Sequence, residues 1–364
     1  MKKILMAIDS NSSGGAERVI ATLANQFVEK GDEIILVNAD TDSCFYKLDE
    51  KVKVIKLQLD AEDNKLKKML LKYKKIRKLM LEIHPDATIC FLIRMEVPVI
   101  LAGLTTGTRV YTSVRNSATS YSRIERLFRK IFYPKISGVV FQSKSVMEFI
   151  DFKAVKNKEV IMNPLDEKLL GITAPVPFEQ RKKIIITAGR LNAQKNQKIL
   201  IEAFDNIASS YPEVELWIYG KGELHDELQK VICEKRNGSR IKLMGEKANA
   251  IYESRDALGF VLSSNFEGFP NALVEAMASG LPSISTKFDS GVAEELISDG
   301  ENGYLCSVND AEELSSKMEL LLNLNKADYE RMAEKSMQIT EMLSPNLIAS
   351  KWEQFMFKED KGQK

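Results

Sequence analysis

Two consecutive α/β domains, each built on a parallel β-sheet, are what this 364-residue sequence predicts. Short apolar runs alternate with amphipathic stretches along nearly the whole chain, the pattern of a parallel sheet covered by helices on both faces. The alternation pauses once, at residues 171–181 (GITAPVPFEQR), where two prolines and few apolar residues mark a linker. The length also suits two domains.

The elements follow in order. KKILMAI is a buried strand, followed by a Ser/Gly loop and a helix from Ala16 to about Lys30. EIILVNA and VKVIKL are the next strands, and residues 64–83 form a long helix. ATICFL, RVYTSV, GVVFQS and EVIMN are further strands with helices between. After the linker the pattern restarts with KIIITAG, VELWIYG, RIKLMG, ALGFVLSS and PSISTK as strands. The halves share an architecture without a repeated sequence. From Ser344 to Phe357, Leu347, Ile348, Trp352 and Phe355 recur at helical spacing.

Composition narrows the function classes. Four cysteines (Cys44, Cys90, Cys233, Cys306) are far apart and form no C-x-x-C, which argues against disulfides or a zinc site and suits a reducing cytoplasm. The apolar start is broken by Asp9, so no signal peptide is expected, and no apolar run approaches a membrane span. Residues 1–165 carry a net +9 against +1 for the whole chain, with the excess between Asn64 and Lys135. A basic N-terminal half suits an anionic partner, such as a phosphate-bearing acceptor or a membrane surface.

The most informative segment is FEGFPNALVEAMASG, residues 266–280. Glu267 and Glu275 stand eight positions apart around a Gly-Phe-Pro-Asn turn, and the apolar spacing after Ala272 is helical. Pro270 fits a helix start, where its missing N–H is no loss. Glu267 then sits in the loop and Glu275 inside the helix. The backbone N–H groups of Phe269, Asn271 and Ala272 are expected to face an open site suited to hydroxyls, carboxylates or phosphates. The plain alternative is an amphipathic helix with two solvated glutamates.

EGFPNALVEAMASGLP resembles the paired-glutamate motif of the retaining glycosyltransferases of family 4, which have the GT-B fold, two Rossmann-like parallel-sheet domains facing across a cleft. The resemblance covers nearly the whole chain. Its other landmarks are SGGAER (13–18), FQSKSV (141–146), MNP (162–164), AGRLNAQKN (188–196) and IYGKGE (218–223). It implies an acceptor-side domain over 1–170, a nucleotide-sugar domain over 171–343, and a last helix, about 344–358, that packs back on the first domain. It further implies retaining transfer from a nucleotide-sugar, expected to be a UDP-sugar, to a growing glycan such as a polyprenyl-diphosphate oligosaccharide. The favoured family mechanism is same-face displacement, in which the departing phosphate oxygen takes the acceptor's proton.

Residue by residue, the resemblance makes Arg190, Lys195 and Glu267 the catalytic set. Arg190 and Lys195 lie in a loop between a strand and a helix. Preorganised cations there would stabilise a departing diphosphate more in the transition state than in the ground state. Glu267 matches the glutamate beside the donor sugar and Glu275 the one that accepts from the ribose. Phe269, Pro270, Asn271, Ala272 and Lys247 complete the donor side. Gly14 and Gly15, after the first strand, would border the diphosphate and sugar, although a tight structural turn explains a lone Gly-Gly equally well. On the acceptor side stand Arg18, Arg115 and Asn116. For Arg18 simple solvation is the competing reading. Arg115 and Asn116 occupy a segment where many relatives carry a histidine, and a cation there suits an acceptor phosphate.

Other features are assigned less. Asp40 and Asp42 form a D-T-D that suggests a metal, but GT-B enzymes do not depend on one, and neither metal nor cofactor is expected. His84 and His225 do not look catalytic. Residues 64–84 form a basic helix with Leu66, Met69, Leu70, Tyr73, Ile76, Leu79, Met80 and Ile83 as one stripe. Together with 123–135 it is either a solvated face or a contact with an anionic membrane surface. Nothing suggests nucleic acid. A cytoplasmic enzyme, peripheral at the inner membrane face, is the expectation. The alternatives are a sugar-nucleotide epimerase of the same fold and a catalytically silent sugar-nucleotide-binding subunit.

Overall fold

The computed structural model describes residues 1–9, 14–39, 46–59, 64–115, 122–149 and 154–358. The chain divides into two units, Met1–Pro164 with Pro345–Lys364, and Leu165–Ser344. The division falls six residues before the expected position of 170/171. Leu165 and Leu169 are buried, and the Leu165 N–H donates to the Leu343 carbonyl, so this apolar segment is part of the second unit.

The first unit contains β1 (Lys3–Ile8), α1 (Gly15–Glu29), β2 (Glu33–Asn38), β3 (Lys53–Lys56), α2 (Lys65–Ile83), β4 (Ala87–Phe91), α3 (Ile93–Thr106), β5 (Val110–Val114), α4 (Arg123–Phe132), β6 (Gly138–Phe141), α5 (Lys144–Phe149) and β7 (Lys158–Val160). The strands form one parallel sheet in the order β3-β2-β1-β4-β5-β6-β7. Residues 4–8, 34–38 and 87–91 are buried without alternation, because helices cover both faces. The C-terminal helix, Pro345–Phe357, packs beside α1, and the Tyr111 hydroxyl donates to the Met356 carbonyl.

The long helix departs from the expected division into an apolar stripe and a solvated basic face. Asn64 caps α2, accepting from the N–H groups of Leu66 and Lys67. Ile76 and Met80 are buried, but so is Lys72, which pairs with Asp9. Lys75 donates to the carbonyls of Leu57 and Gln58. These two lysines are therefore structural, and Leu66 and Leu70 at the other end of the stripe are exposed.

The second unit contains β8 (Lys182–Ala188), α6 (Gln197–Ala208), β9 (Glu215–Tyr219), α7 (His225–Glu234), β10 (Ile241–Gly245), α8 (Ala250–Glu253), β11 (Ala257–Leu262), α9 (Asn271–Ala278), β12 (Ser283–Thr286), α10 (Val292–Leu296), β13 (Gly303–Cys306), α11 (Ala311–Leu322), α12 (Lys326–Met337) and α13 (Ile339–Met342). Its parallel sheet runs β10-β9-β8-β11-β12-β13. The four-residue β13 has no counterpart among the strands expected from the sequence. It is short and follows the turn-rich segment SDGENG, so its signal is weak.

The expected linker is anchored. Arg181 is buried, and its guanidinium donates to the carbonyls of Val176 (3.1 Å), Arg255 (3.3 Å), Ala257 (2.8 Å) and Gly280 (2.8 Å) while lying over the Tyr329 ring. Burial lowers the Arg181 pKa from its ordinary value, opposed by Tyr329 and Asp256. Gly280 has φ +70°, and a Cβ there would stand 2.7 Å from Pro175, so the segment lies directly on it. Arg181→Ala is expected to destabilise this unit by about 3 kcal/mol, since four carbonyls, two of them in buried hydrogen bonds, lose a charged donor. The check is the midpoint of urea unfolding, and an unchanged midpoint would refute the anchoring role.

Candidate active site

In the second unit the chain runs from β8 to β9 and β10 on one side, then crosses back to β11 on the other side of β8. The strand order therefore reverses between β8 and β11, and the loops leaving their carboxyl ends are neighbours. Open parallel sheets bind ligands at such switch points. The loop after β8 is GRLNAQKN and the loop after β11 is SSNFEGFP, so both motifs singled out in the sequence sit here.

Side chains lace the two loops together. The Asn265 N–H donates to the Gln194 carbonyl (2.8 Å) and its amide to the Ala193 carbonyl (2.9 Å). Asn196, in the left-handed region at φ +47°, donates to Asn265 Oδ1 (2.9 Å), and the Ser263 hydroxyl donates to the Lys195 carbonyl (3.0 Å). At the centre, Lys195 Nζ donates to Glu267 Oε1 at 2.5 Å. The Ser264 hydroxyl donates to the same oxygen (2.7 Å), and Gln194 Nε2 donates to Glu267 Oε2 (3.1 Å). Glu267 is buried, and the Lys195 side chain is 18% exposed. The two side chains that the resemblance places beside a ligand hold each other, and the lysine stem lies against Gly189.

Arg190 is different. It is exposed, and among the described residues its guanidinium has no hydrogen-bond or ion-pair partner. Its backbone is fixed, because Gln197 Nε2 donates to the Arg190 carbonyl (2.9 Å). The loop after β9 supports this backbone. A Cβ on Gly220 (φ +143°) would stand 1.9 Å from the Gly189 carbonyl oxygen, and one on Gly222 2.2 Å from that of Leu191. The IYGKGE glycines are thus spacers that let two loops touch.

Glu275 lies half-buried in α9, and Phe269 and Pro270 are buried before it. One expected donor is already used: the Asn271 N–H bonds the Phe269 carbonyl at 3.0 Å. Asn271 and Ala272 are half-buried in the first turn of α9. Lys247 lies after β10, at the edge of the sheet, and pairs with Glu253 at 2.8 Å, which raises its pKa. Among the described residues no hydrogen bond or ion pair joins it to the Lys195–Glu267 pair.

In the first unit the corresponding reversal lies between β1 and β4. Gly14 precedes α1, and the Glu17 carboxylate folds over it so closely that a Cβ would stand 2.2 Å from Oε2. Gly15 is exposed, and Arg18 is half-buried, not freely solvated. Arg115, beyond β5, donates to Asn163 Oδ1 (2.8 Å) and stacks on Phe91 with its guanidinium 3.8 Å from the ring centroid. Gln142 donates to the same Asn163 oxygen (2.6 Å). The FQSKSV and MNP landmarks thus position Arg115. Asn116 lies outside the described residues, as do Asp40 and Asp42.

The sequence reading missed the Asp9–Lys72 pair at the end of β1, with Arg94 Nη1 4.0 Å from Asp9. Asp9 breaks an otherwise apolar strand, and Lys72 falls on the apolar side of α2; those were the available signals. Among the described residues no group of three or more His, Cys, Asp or Glu side chains is gathered as a metal site.

The sequence matches the family model described as "Glycosyl transferases group 1" over residues 172–338. It is 30% identical over 333 residues to the GalNAc-alpha-(1->4)-GalNAc-alpha-(1->3)-diNAcBac-PP-undecaprenol alpha-1,4-N-acetyl-D-galactosaminyltransferase of Campylobacter jejuni, covering 89% of each chain. It is 28% identical to a second protein of that organism, an N-acetylgalactosamine-N,N'-diacetylbacillosaminyl-diphospho-undecaprenol 4-alpha-N-acetylgalactosaminyltransferase, over 90% of this chain and 92% of the other. Among solved structures, Anabaena HepE in complex with UDP superposes with a TM-score of 0.77 at 18% identity, covering 96% of this chain and 98% of the other. A mutant of S. aureus TarM in complex with Fondaparinux, alpha-GlcNAc-glycerol and UDP superposes at 0.77 and 17% identity, covering 98% and 100%.

Proposed function

This chain belongs to the group 1 glycosyltransferases, of GT-B type, and from that premise we propose that it is a retaining transferase that moves an N-acetylhexosamine from its UDP donor to a polyprenyl-diphosphate-linked glycan. The observation that carries the reading is the Lys195–Glu267 pair at the β8/β11 switch point with the unpartnered Arg190 in the same loop. The two N-acetylgalactosaminyltransferase relatives support the sugar and the lipid-linked acceptor, and the UDP in the neighbouring structures supports the nucleotide.

The residues then divide the work. Arg190 is preorganised by its backbone and grips the donor diphosphate through two parallel N–H donors. As the bond to the sugar breaks, charge grows on the leaving phosphate, and a cation fixed beforehand stabilises that state most. Lys195 adds a second positive charge, held in place by Glu267. A carboxylate offers roughly four acceptor positions. Three on Glu267 are taken by Lys195, Ser264 and Gln194, leaving room for one sugar hydroxyl. That arrangement suits a group that orients the sugar and argues against a covalent nucleophile. Glu275 accepts from the ribose, and the departing phosphate oxygen takes the acceptor's proton, so no protein base is required.

The experiment is thermal stabilisation by a panel of nucleotide-sugars, followed by transfer to a synthetic polyprenyl-diphosphate glycan and determination of the product's anomeric configuration. A specific ligand raises the melting point. UDP-N-acetylhexosamines should stabilise more than UDP-hexoses or GDP-sugars, and an inverted product would end the retaining assignment. We further propose that Arg190 and Lys195 replace a metal ion, so that EDTA leaves turnover largely unchanged. Abolished turnover restored by a divalent cation would overturn this and return attention to Asp40 and Asp42.

A further inference from the structure

Three loops of the second unit meet through asparagines. They leave the carboxyl ends of β8, β11 and β13, and they carry Asn196, Asn265 and Asn309. Asn196 Nδ2 donates to Asn265 Oδ1 (2.9 Å) and to Asn309 Oδ1 (2.8 Å). A side-chain amide has two N–H donors, so both are used here. The two acceptors lie 69 and 113 positions further along the chain.

Local structure frees Asn196 for this bridge. It stands directly before α6, where an asparagine ordinarily turns its side chain onto the first free N–H groups of the helix. That cap needs an extended backbone. Asn196 is left-handed, at φ +47°, and its side chain caps nothing. Asn309 is left-handed too, at φ +59°. Glycine takes this backbone at no steric cost, and asparagine tolerates it. A turn alone is served by glycine; asparagine at both positions also supplies the donor and the acceptor of the bridge.

The bridge closes one end of a short ladder whose other end holds the Lys195–Glu267 pair. Residues 193–196 run beside residues 263–267, joined rung by rung. Asn196 bonds Asn265, and Asn265 bonds the carbonyls of Ala193 and Gln194. Gln194 Nε2 bonds the Phe266 carbonyl (3.0 Å) and Glu267, and Lys195 bonds Glu267. The Ser263 hydroxyl donates to the carbonyls of both Lys195 (3.0 Å) and Asn196 (3.2 Å). Asn196 therefore fixes the backbone that carries the lysine, one residue away from it. Its bond to Asn309 ties this ladder to a third strand end, which keeps the two loops from shifting together.

We propose that Asn196 is a positioning residue of the transfer reaction: by bridging Asn265 and Asn309 it sets the Lys195–Glu267 pair in place for the donor. This deepens the function proposed above and rests on it. Misplacing a reacting group by about 1 Å can cost about 10²-fold in rate, even when the change lies away from the chemistry.

The test is Asn196→Gly, which keeps the left-handed backbone and deletes only the bridge. Its turnover of nucleotide-sugar at saturating acceptor should fall by at least about tenfold, while UDP affinity, measured by calorimetry, stays at the wild-type value. In a Lys195→Met background the same substitution should cost nothing further, because the group that it places is gone; a general loosening of the unit would lower both backgrounds alike. Asn309 is exposed, so its variants carry the test even where Asn196→Gly lowers stability. Asn309→Ala removes one acceptor and should lose part of the turnover, and Asn309→Asp restores the acceptor and should regain it. A wild type that consumes no nucleotide-sugar would overturn the transfer reading and this role together. With an active wild type, four outcomes overturn this inference alone: full turnover in Asn196→Gly, a fall in UDP affinity as large as the fall in turnover, an equal further loss in the Lys195→Met background, or no recovery in Asn309→Asp.

Discussion

Arg190→Ala is expected to lower turnover by about 10²-fold or more, the scale of removing one preorganised partner of a developing charge, while leaving the melting point of the free protein unchanged. The expectation of unchanged stability follows from the structure: the guanidinium is exposed and has no partner among the described residues, so its removal leaves no buried group unsatisfied. Arg190→Lys keeps the charge but loses the two-pronged grip, and should recover only part of the loss. Steady-state kinetics with a saturating acceptor, together with a thermal melt, separates these effects. Near-wild-type turnover in Arg190→Ala would show that the diphosphate is held elsewhere.

Lys195→Met should lose at least as much turnover and should also lose stability. Its ammonium is the charged donor to a buried Glu267, whose other partners are a hydroxyl and an amide. Leaving that carboxylate without its cation costs about 2 kcal/mol, a fall of roughly 4–8 °C for a unit of this size. Adding Glu267→Gln removes the orphaned charge, so the double variant should regain stability without regaining turnover. The coupling between the two sites should be about 1–2 kcal/mol in stability. An unchanged melting point in Lys195→Met would mean that the pair does not hold the two loops. Recovery of turnover in the double variant would mean that Lys195 serves only to neutralise Glu267.

The contrast between Arg190 and Lys195 could not be read from the sequence, where they are two cations five residues apart in one loop with the same implied role. Ion pairing depends on what stands opposite, and Glu267 is 72 residues further along the chain. Asp9 and Lys72 are 63 residues apart, and a lysine on the apolar side of a basic helix looks in sequence like one more solvated cation. Arg115 stands out in the sequence, but its clamp of Phe91, Gln142 and Asn163 comes from the ends of three other strands.

By itself the sequence determined the local layer: continuous apolar runs for the strands, helical spacing for α2 and α9, and the loop position of Glu267 against the helical position of Glu275. These are properties of neighbours within one or two turns, and backbone geometry and burial settle them. Strand order belongs to another scale. The crossover from β10 back to β11 is what sets the loop after β8 against the loop after β11, and no residue in either loop encodes it. Tertiary structure therefore decided which charges neutralise each other, which cation stays open in the site, and which leucines of α2 remain in contact with water.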